Sequence, residues 1–317
     1  MLNKLEINGL YGLYNYSLDF TEGENGRMKI ITGPNGYGKT TILQVIYALL
    51  CKDLDVLFRI PFSHMLFFMD NDIIQVNQTR LSAPIEEDSD LPGKETVRIA
   101  FEQVDAKSGK MILLQTLDEM EKDAMLDGQL QLLLNSMKCF FLTDKRILLR
   151  NKEQEKRVQD ADTDVAMKGV AENMAMAVSK DEDDKRIALF KELVSFFSFA
   201  DKEMVVDGIF GIRFRMKNAS KTLIPVTRLS SGEKHVLLQM YELIFEGKSG
   251  DLVLIDEPEL SFHPAWLNVY VSVLEKIQNF KLQEGREMQI ILATHAPLLI
   301  GGRWDETLDL YTLRNNG

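Results

Sequence analysis

Lys39 and Thr40 close a glycine-rich run, Gly33-Pro34-Asn35-Gly36-Tyr37-Gly38-Lys39-Thr40-Thr41, that meets the pattern G-x-x-x-x-G-K-[ST] at every constrained position. The chemistry such a run supports is phosphate binding. Gly33, Gly36 and Gly38 let the backbone curl so that successive N–H groups converge on phosphate oxygens. A helix beginning at the end of the run adds its partial positive charge. The Lys39 ammonium can reach β- and γ-phosphates, and the Thr40 hydroxyl can ligate Mg²⁺. The competing reading is a glycine turn before a core helix. The agreement of residue type with flanking context decides against it.

Three later runs carry related chemistry. Leu252-Val253-Leu254-Ile255-Asp256-Glu257-Pro258 is an apolar strand ending in two acids, the Walker B pattern. Asp256 would hold Mg²⁺ through water, and Glu257 would polarise an attacking water as general base. Acids end strands often by chance; the phosphate loop gives this pair its meaning, because both can lie at the carboxyl edge of one parallel sheet. Ala293-Thr294-His295-Ala296-Pro297 follows the next apolar run. A lone histidine is usually structural, but His295 would end a strand beside the acid-tipped one, where it could sense a γ-phosphate and orient the water. In Leu229-Ser230-Ser231-Gly232-Glu233-Lys234, Ser230 or Ser231 caps a helix and Glu233 favours its first turn, with or without a function. The functional reading of Ser230, Ser231, Gly232 and Glu233 is a signature motif acting in trans, on the γ-phosphate of ATP held by a second subunit.

The elements that must position these residues are legible in outline. Met28–Ile31 reads as a buried strand entering the loop, and Thr40–Leu50 as a helix leaving it. Leu5–Leu10 and Tyr16–Phe20 read as strands around Tyr11-Gly12, Met65–Phe68 and Ile73–Val76 as strands about an Asp70-Asn71-Asp72 turn, and Val97–Phe101 with Met111–Leu114 as a hairpin through 106–109. Gln129–Ser136 is helix-like and Cys139–Leu142 a short buried strand. Residues 151–200, rich in Glu, Lys, Asp, Ala and Met, read as an insertion of about two helices, with Asp181-Glu182-Asp183-Asp184 an exposed boundary. Ile212–Met216, Leu252–Ile255 and Gln289–Ala293 read as strands, the last two in a parallel core, with helices over Gly232–Phe245 and Pro264–Asn279. His64, His235 and His263 carry no argument like that for His295, and Trp266 and Trp304 read as packing residues.

The 317 residues can bury a substantial core, as one large α/β domain or two small ones. No apolar run approaches the roughly 20 residues that span a bilayer, and the alternating start with Glu6 does not read as a signal peptide. Two cysteines, Cys51 and Cys139, give no disulfide framework, which points to a reducing cytoplasm. The net charge of -11 argues against a basic coat for nucleic acid. The basic cluster from Lys145 to Arg157 reads as a solvated helix face.

In their order along the chain, Gly33–Thr41, Leu229–Lys234, Leu252–Pro258, Glu259-Leu260-Ser261-Phe262-His263-Pro264 and Ala293–Pro297 resemble the ABC-type ATPases. More narrowly they resemble the SMC, RecF and OLD branch. Leu229–Leu298 is most similar to small stand-alone ATPases of bacterial antiphage systems, such as the PtuA ATPase of Septu and related retron systems and the AriA ATPase of PARIS. The resemblance implies an α/β P-loop fold with a mixed sheet, an antiparallel β subdomain and a short helical insertion. It divides one ATPase domain, 1–317, into an N-terminal lobe (1–150), the insertion (151–200) and a C-terminal lobe (201–317). It implies ATP and Mg²⁺, and a homodimer or higher homo-oligomer with composite sites. A separate effector protein, a nuclease, would be the controlled partner, with nucleic acid left open and no membrane. One position departs from the family: Thr143-Asp144-Lys145-Arg146 stands where a glutamine loop is expected, so that Lys145 and Arg146 occupy its place, with Gln75 and Gln78 as alternatives. Tyr11 and Tyr14 could stack on adenine or pack in the core. Competing functions are a RecF-like DNA-repair clamp, which the net charge disfavours, a transporter ATPase subunit, disfavoured by Glu233 after the Ser-Gly pair and by the insertion, and a scaffold that binds ATP without useful hydrolysis.

Overall fold

The computed structural model describes residues 1–21, 27–70, 72–82, 95–104, 110–135, 138–143, 163–181, 183–199, 202–217, 222–246, 251–260 and 262–314. In chain order, β1 (Leu2–Leu10), β2 (Tyr14–Asp19) and β3 (Met28–Thr32) lead into α1 (Lys39–Cys51) and α2 (Leu54–Arg59). Then come β4 (His64–Met69), β5 (Ile73–Ser82), β6 (Glu95–Val104), β7 (Met111–Asp118), α3 (Gly128–Leu134) and β8 (Cys139–Leu142). The helices α4 (Thr163–Lys180) and α5 (Lys185–Phe196) precede β9 (Lys202–Asp207), β10 (Gly211–Met216) and β11 (Leu223–Pro225). The last stretch holds α6 (Ser231–Tyr241), β12 (Asp251–Asp256), α7 (Pro264–Gln283), β13 (Met288–Ala293), α8 (Pro297–Ile300), β14 (Thr307–Asp309) and α9 (Leu310–Leu313).

Parallel and antiparallel pairing fall into separate sheets. The order β14-β3-β13-β12-β8 is parallel throughout, β2-β1-β4-β5-β6-β7 is antiparallel, and β11-β10-β9 is a small antiparallel sheet. β3, β8 and β13 are buried at every residue, as strands covered on both faces must be. Their alternate side chains feed two cores. Leu252, Leu254, Ile291 and Ile31 face α1 and the six-stranded sheet. Val253, Ile255, Ile290 and Ile30 face α4 to α7. α1 therefore carries apolar residues on nearly its whole circumference, because it lies between two sheets.

The insertion is helical where described. α4 buries Met167, Val170 and Met174, and α5 buries Ile187, Phe190 and Leu193, at helical spacing. Asp184, the end of the acidic run, is the N-cap of α5 and accepts from the Arg186 N–H at 2.8 Å. The β9–β10 hairpin lies tight against α4: a Cβ at Gly211, where φ is +66°, would lie 1.7 Å from the Ala171 carbonyl oxygen. The helix expected over Gly232–Phe245 changes to a π turn at Glu242–Glu246, whose Ile244 carbonyl accepts from the buried Lys281 ammonium at 2.7 Å. Trp266 packs among Phe197, Phe199 and Phe262, but Trp304 is 54% exposed and does not serve the expected packing role. The turn expected over 106–109 lies outside the described residues.

Candidate functional site

The phosphate loop spans the end of β3 and the start of α1. Gly36 (φ 85°) and Gly38 (φ 87°) take left-handed backbone that any side chain would strain. No side chain caps α1, so its first N–H groups are left to a ligand. Asn35 and Gly36 are exposed at the loop crest. Lys39 is buried and folds over its own loop, donating to the Gly33 carbonyl at 2.9 Å and the Pro34 carbonyl at 3.3 Å. The Tyr16 hydroxyl donates to the Tyr37 carbonyl at 2.7 Å, and burial holds that phenol well above its ordinary range, so it stays a donor. The Tyr37 ring packs on Tyr14 and Tyr311. Gly33 closes against Leu310, 3.2 Å from an added Cβ.

The register of the parallel sheet brings the other motifs to this edge. β13 lies between β3 and β12, and Thr294 N–H donates to the Ile31 carbonyl at 3.0 Å. The Thr40 hydroxyl donates to Asp256 Oδ1 at 3.1 Å, so the two residues expected at a metal are neighbours although 216 positions apart. A hydroxyl beside a carboxylate at the foot of a phosphate loop is a hard-oxygen donor set that fits Mg²⁺. Glu257 has left-handed backbone (φ 44°), costly for a glutamate, and its N–H donates to the Ala293 carbonyl at 2.9 Å. His295 Nδ1 lies 3.6 Å from Glu257 Oε1.

A second glutamate, unassigned in the sequence, completes this corner. Glu259 Oε1 accepts from the Thr294 hydroxyl at 2.7 Å and from His295 N–H at 3.0 Å, and it lies 3.1 Å from His295 Nδ1. The signal for it was the proline between two acids: Pro258 opens a 3₁₀ turn, Pro258–Leu260, in which Glu259 returns to the end of β13.

Ser230, Ser231, Gly232 and Glu233 lie at the start of α6. Ser230 caps α6 in a capping box: Glu233 N–H donates to Ser230 Oγ at 3.3 Å, and Glu233 Oε2 accepts from Ser230 N–H at 2.9 Å. Glu233 Oε1 accepts from Lys202 at 2.6 Å. Burial pushes the Glu233 carboxyl up, but Lys202 and Ser230 outweigh it and hold the group below the usual carboxylate range. Ser231 is exposed at the helix start, with Gly232 beside it half-buried.

Several expectations need correction. Gln78 is buried and spent on the chain around α2, accepting from Phe62 N–H at 3.2 Å and donating to the Leu57 carbonyl at 2.8 Å. Gln75 donates to Glu102 across the six-stranded sheet at 3.1 Å. Neither serves as a glutamine loop. Lys145 and Arg146 lie outside the described residues. Tyr11 is no core residue: it is 46% exposed, with its hydroxyl 3.3 Å from Thr41 Oγ1. Tyr14 stacks on Tyr16. His263 caps α7 by accepting from Ala265 N–H at 3.2 Å.

Two family models match the chain. Residues 1–191 match the family described as AAA ATPase domain, and residues 140–301 match the family described as AAA domain, putative AbiEii toxin, Type IV TA system. The chain belongs to the AAA-type ATPase domains. No curated protein matches it. This ATPase domain is similar to the Smc head domain of Pyrococcus furiosus, solved with an extended coiled coil and bound to the C-terminal domain of ScpA. The identity is 12%, over 94% of this chain and 90% of that one, with a TM-score of 0.40. It is also similar to UvrA2 of Deinococcus radiodurans, at 14% identity over 98% of this chain, with a TM-score of 0.37; it spans only 36% of that protein. Among the described residues no helix is long and apolar enough to cross a membrane.

Proposed function

We propose that this ATPase domain is an ABC-type switch of the SMC, RecF and OLD branch, which binds and hydrolyses ATP between two copies of itself and thereby controls a separate effector. The observation that carries the reading is the Thr40–Asp256 hydrogen bond at 3.1 Å, which joins the phosphate loop to the Walker B acid with Glu257 the next residue. Gly33, Asn35, Gly36, Tyr37 and Gly38 present the loop backbone to the phosphates, and Thr41 continues the helix start. Lys39 exchanges its two carbonyl partners for β- and γ-phosphate oxygens. Thr40 and Asp256 hold Mg²⁺, which when bound neutralises phosphate charge. Glu257 accepts a proton from the attacking water, and His295 faces the γ-phosphate side of the same corner.

The exposed start of α6 supports the composite site, since Ser230 and Glu233 bond to each other and Glu233 to Lys202, while Ser231 and Gly232 stay available to a second copy. We read 1–150, 151–200 and 201–317 as two lobes and an insertion of one ATPase unit in the cytoplasm. The effector is taken to be a nuclease and the setting antiphage defence, on the resemblance of Leu229–Leu298. The family description of a putative AbiEii toxin also suits a regulated growth or defence system. The test is native mass spectrometry of Glu257→Gln, tagged and recovered from its own cells with Mg-ATP. A homo-oligomer with a second protein supports the switch and names the effector. A homo-oligomer with nucleic acid alone replaces it with a DNA clamp, and a monomer removes the composite site.

A further inference from the structure

We propose that Glu259 is the positioning residue of His295: it holds the imidazole by Nδ1 and keeps the ring off Glu257, so that the base carboxylate stays open to water. The inference rests on the roles proposed for Glu257 and His295.

One carboxylate oxygen does the holding. Glu259 Oε1 takes the Thr294 hydroxyl, the His295 N–H and the His295 ring nitrogen, at 2.7, 3.0 and 3.1 Å. The Thr294 hydroxyl and the His295 N–H hold the turn that carries the ring, and the third contact sets the ring nitrogen beside the carboxylate. The Glu259 side chain is 7% exposed and that of His295 44%, so the anchored group orients the mobile one. Glu259 Oε2 is buried with no hydrogen-bond partner among the described residues, so the bonds of this carboxylate are concentrated on Thr294 and His295. A buried carboxylate is retained at a cost that those bonds must offset.

The distances separate the two acids. His295 Nδ1 is within hydrogen-bond reach of Glu259, at 3.1 Å, and beyond it from Glu257, at 3.6 Å. A carboxylate facing Nδ1 places the proton there and leaves the lone pair of the neutral ring on Nε2. Without Glu259 the carboxylate left beside Nδ1 is that of Glu257, at 3.6 Å. An imidazole bonded to the base occupies the oxygen that must take the proton of water. Glu259 thus keeps two groups of one corner from neutralising each other.

The test uses Glu259→Ala and Glu259→Gln, each alone and with His295→Ala. ¹⁵N NMR of the imidazole in nucleotide-free protein reads the proton position and needs no turnover. Nδ1–H is expected in the wild type and in Glu259→Gln; in Glu259→Ala it should pass to Glu257 and be lost once Glu257→Ala is added. If the protein failed to hydrolyse ATP, this readout would still stand, so failure of the clamp and failure of the ATPase assignment are distinguishable. In Mg-ATP turnover, Glu259→Ala should lower kcat ~10- to 100-fold with KM changed less than ~2-fold, and Glu259→Gln should recover most of that loss. In the His295→Ala background Glu259→Ala should change the residual rate less than ~2-fold, because the two act as one unit. Should Glu259→Ala fail to fold, Glu259→Asp draws the carboxylate back by one methylene and should likewise pass Nδ1–H to Glu257. A wild-type ring protonated on Nε2 alone would overturn the proposal. So would a kcat loss equally large with and without His295.

Discussion

Replacing Lys202 by methionine should destabilise the protein by about 2 kcal/mol at neutral pH and by almost nothing in acid. The Glu233 carboxylate has three donors: the Lys202 ammonium at 2.6 Å on Oε1, and the Ser230 N–H and hydroxyl at 2.9 and 3.0 Å on Oε2. Methionine keeps the apolar stem and removes the ammonium, leaving Oε1 in a site where Glu233 is 5% exposed. Breaking a buried ion pair costs about 3–5 kcal/mol, and a hydrogen bond to a charged group contributes about 1.5–3 kcal/mol. Lys202 keeps 20% of its side-chain surface in water and Ser230 keeps both bonds, which sets the loss toward the lower range. The Glu233 carboxyl titrates lower in the folded protein than its unfolded value of about 4.3, since Lys202 and Ser230 outweigh the upward push of burial. Its stabilisation is therefore complete above that unfolded value and is lost as pH falls through the depressed folded value. Below it both proteins carry a neutral Glu233 and differ by packing alone. Urea unfolding checks this: at pH 7 the variant's midpoint should fall with an unchanged slope, and the gap should close toward pH 3. An equal gap at every pH would refute the charge argument, and no gap at pH 7 would refute the burial of the pair.

Glu257→Gln should bind Mg-ATP with little change and hydrolyse it ~10²–10⁴-fold more slowly in a phosphate-release assay; wild-type turnover would remove it as the base. Thr40→Val removes the donor to Asp256 and should raise the Mg²⁺ concentration for half-maximal turnover ~10-fold or more, read by metal titration at fixed ATP, with an unchanged titration counting against the metal site. Gly211→Ala adds a Cβ 1.7 Å from a backbone oxygen at φ +66° and should cost about 3 kcal/mol or more. A thermal midpoint within a degree of wild type would show that the hairpin and α4 do not touch.

The long apolar runs were legible because parallel strands need them: Met28–Thr32, Leu252–Ile255 and Met288–Ala293 are buried on both faces and paired where their motifs required. β9 and β14 were not. Lys202–Asp207 is half polar because one face meets water, and Thr307–Asp309 is too short for any period to show. At the site, Lys39, Thr40, Asp256, Glu257 and His295 were each visible by type, and the structure gathers them. Glu259 and Lys202 were not, since their roles come from a turn and from a strand-to-helix ion pair that join residues without any sequence spacing of their own. The assignment of Gln75 or Gln78 to the site failed because both amides bond within the antiparallel sheet and the chain it supports.

β13 holds neither the glycine loop nor Asp256 and Glu257, yet its end and the residues just after it touch both. Ala293 accepts from Glu257 N–H, Thr294 donates to Ile31 at the mouth of the loop, and His295 follows at once. The strand end is the datum of the site, the one edge from which the other parts are measured. Because the strands that carry loop and base, β3 and β12, flank it directly on either side, their placement errors do not accumulate strand by strand across the sheet. A shift of one residue in this strand would misalign both at once.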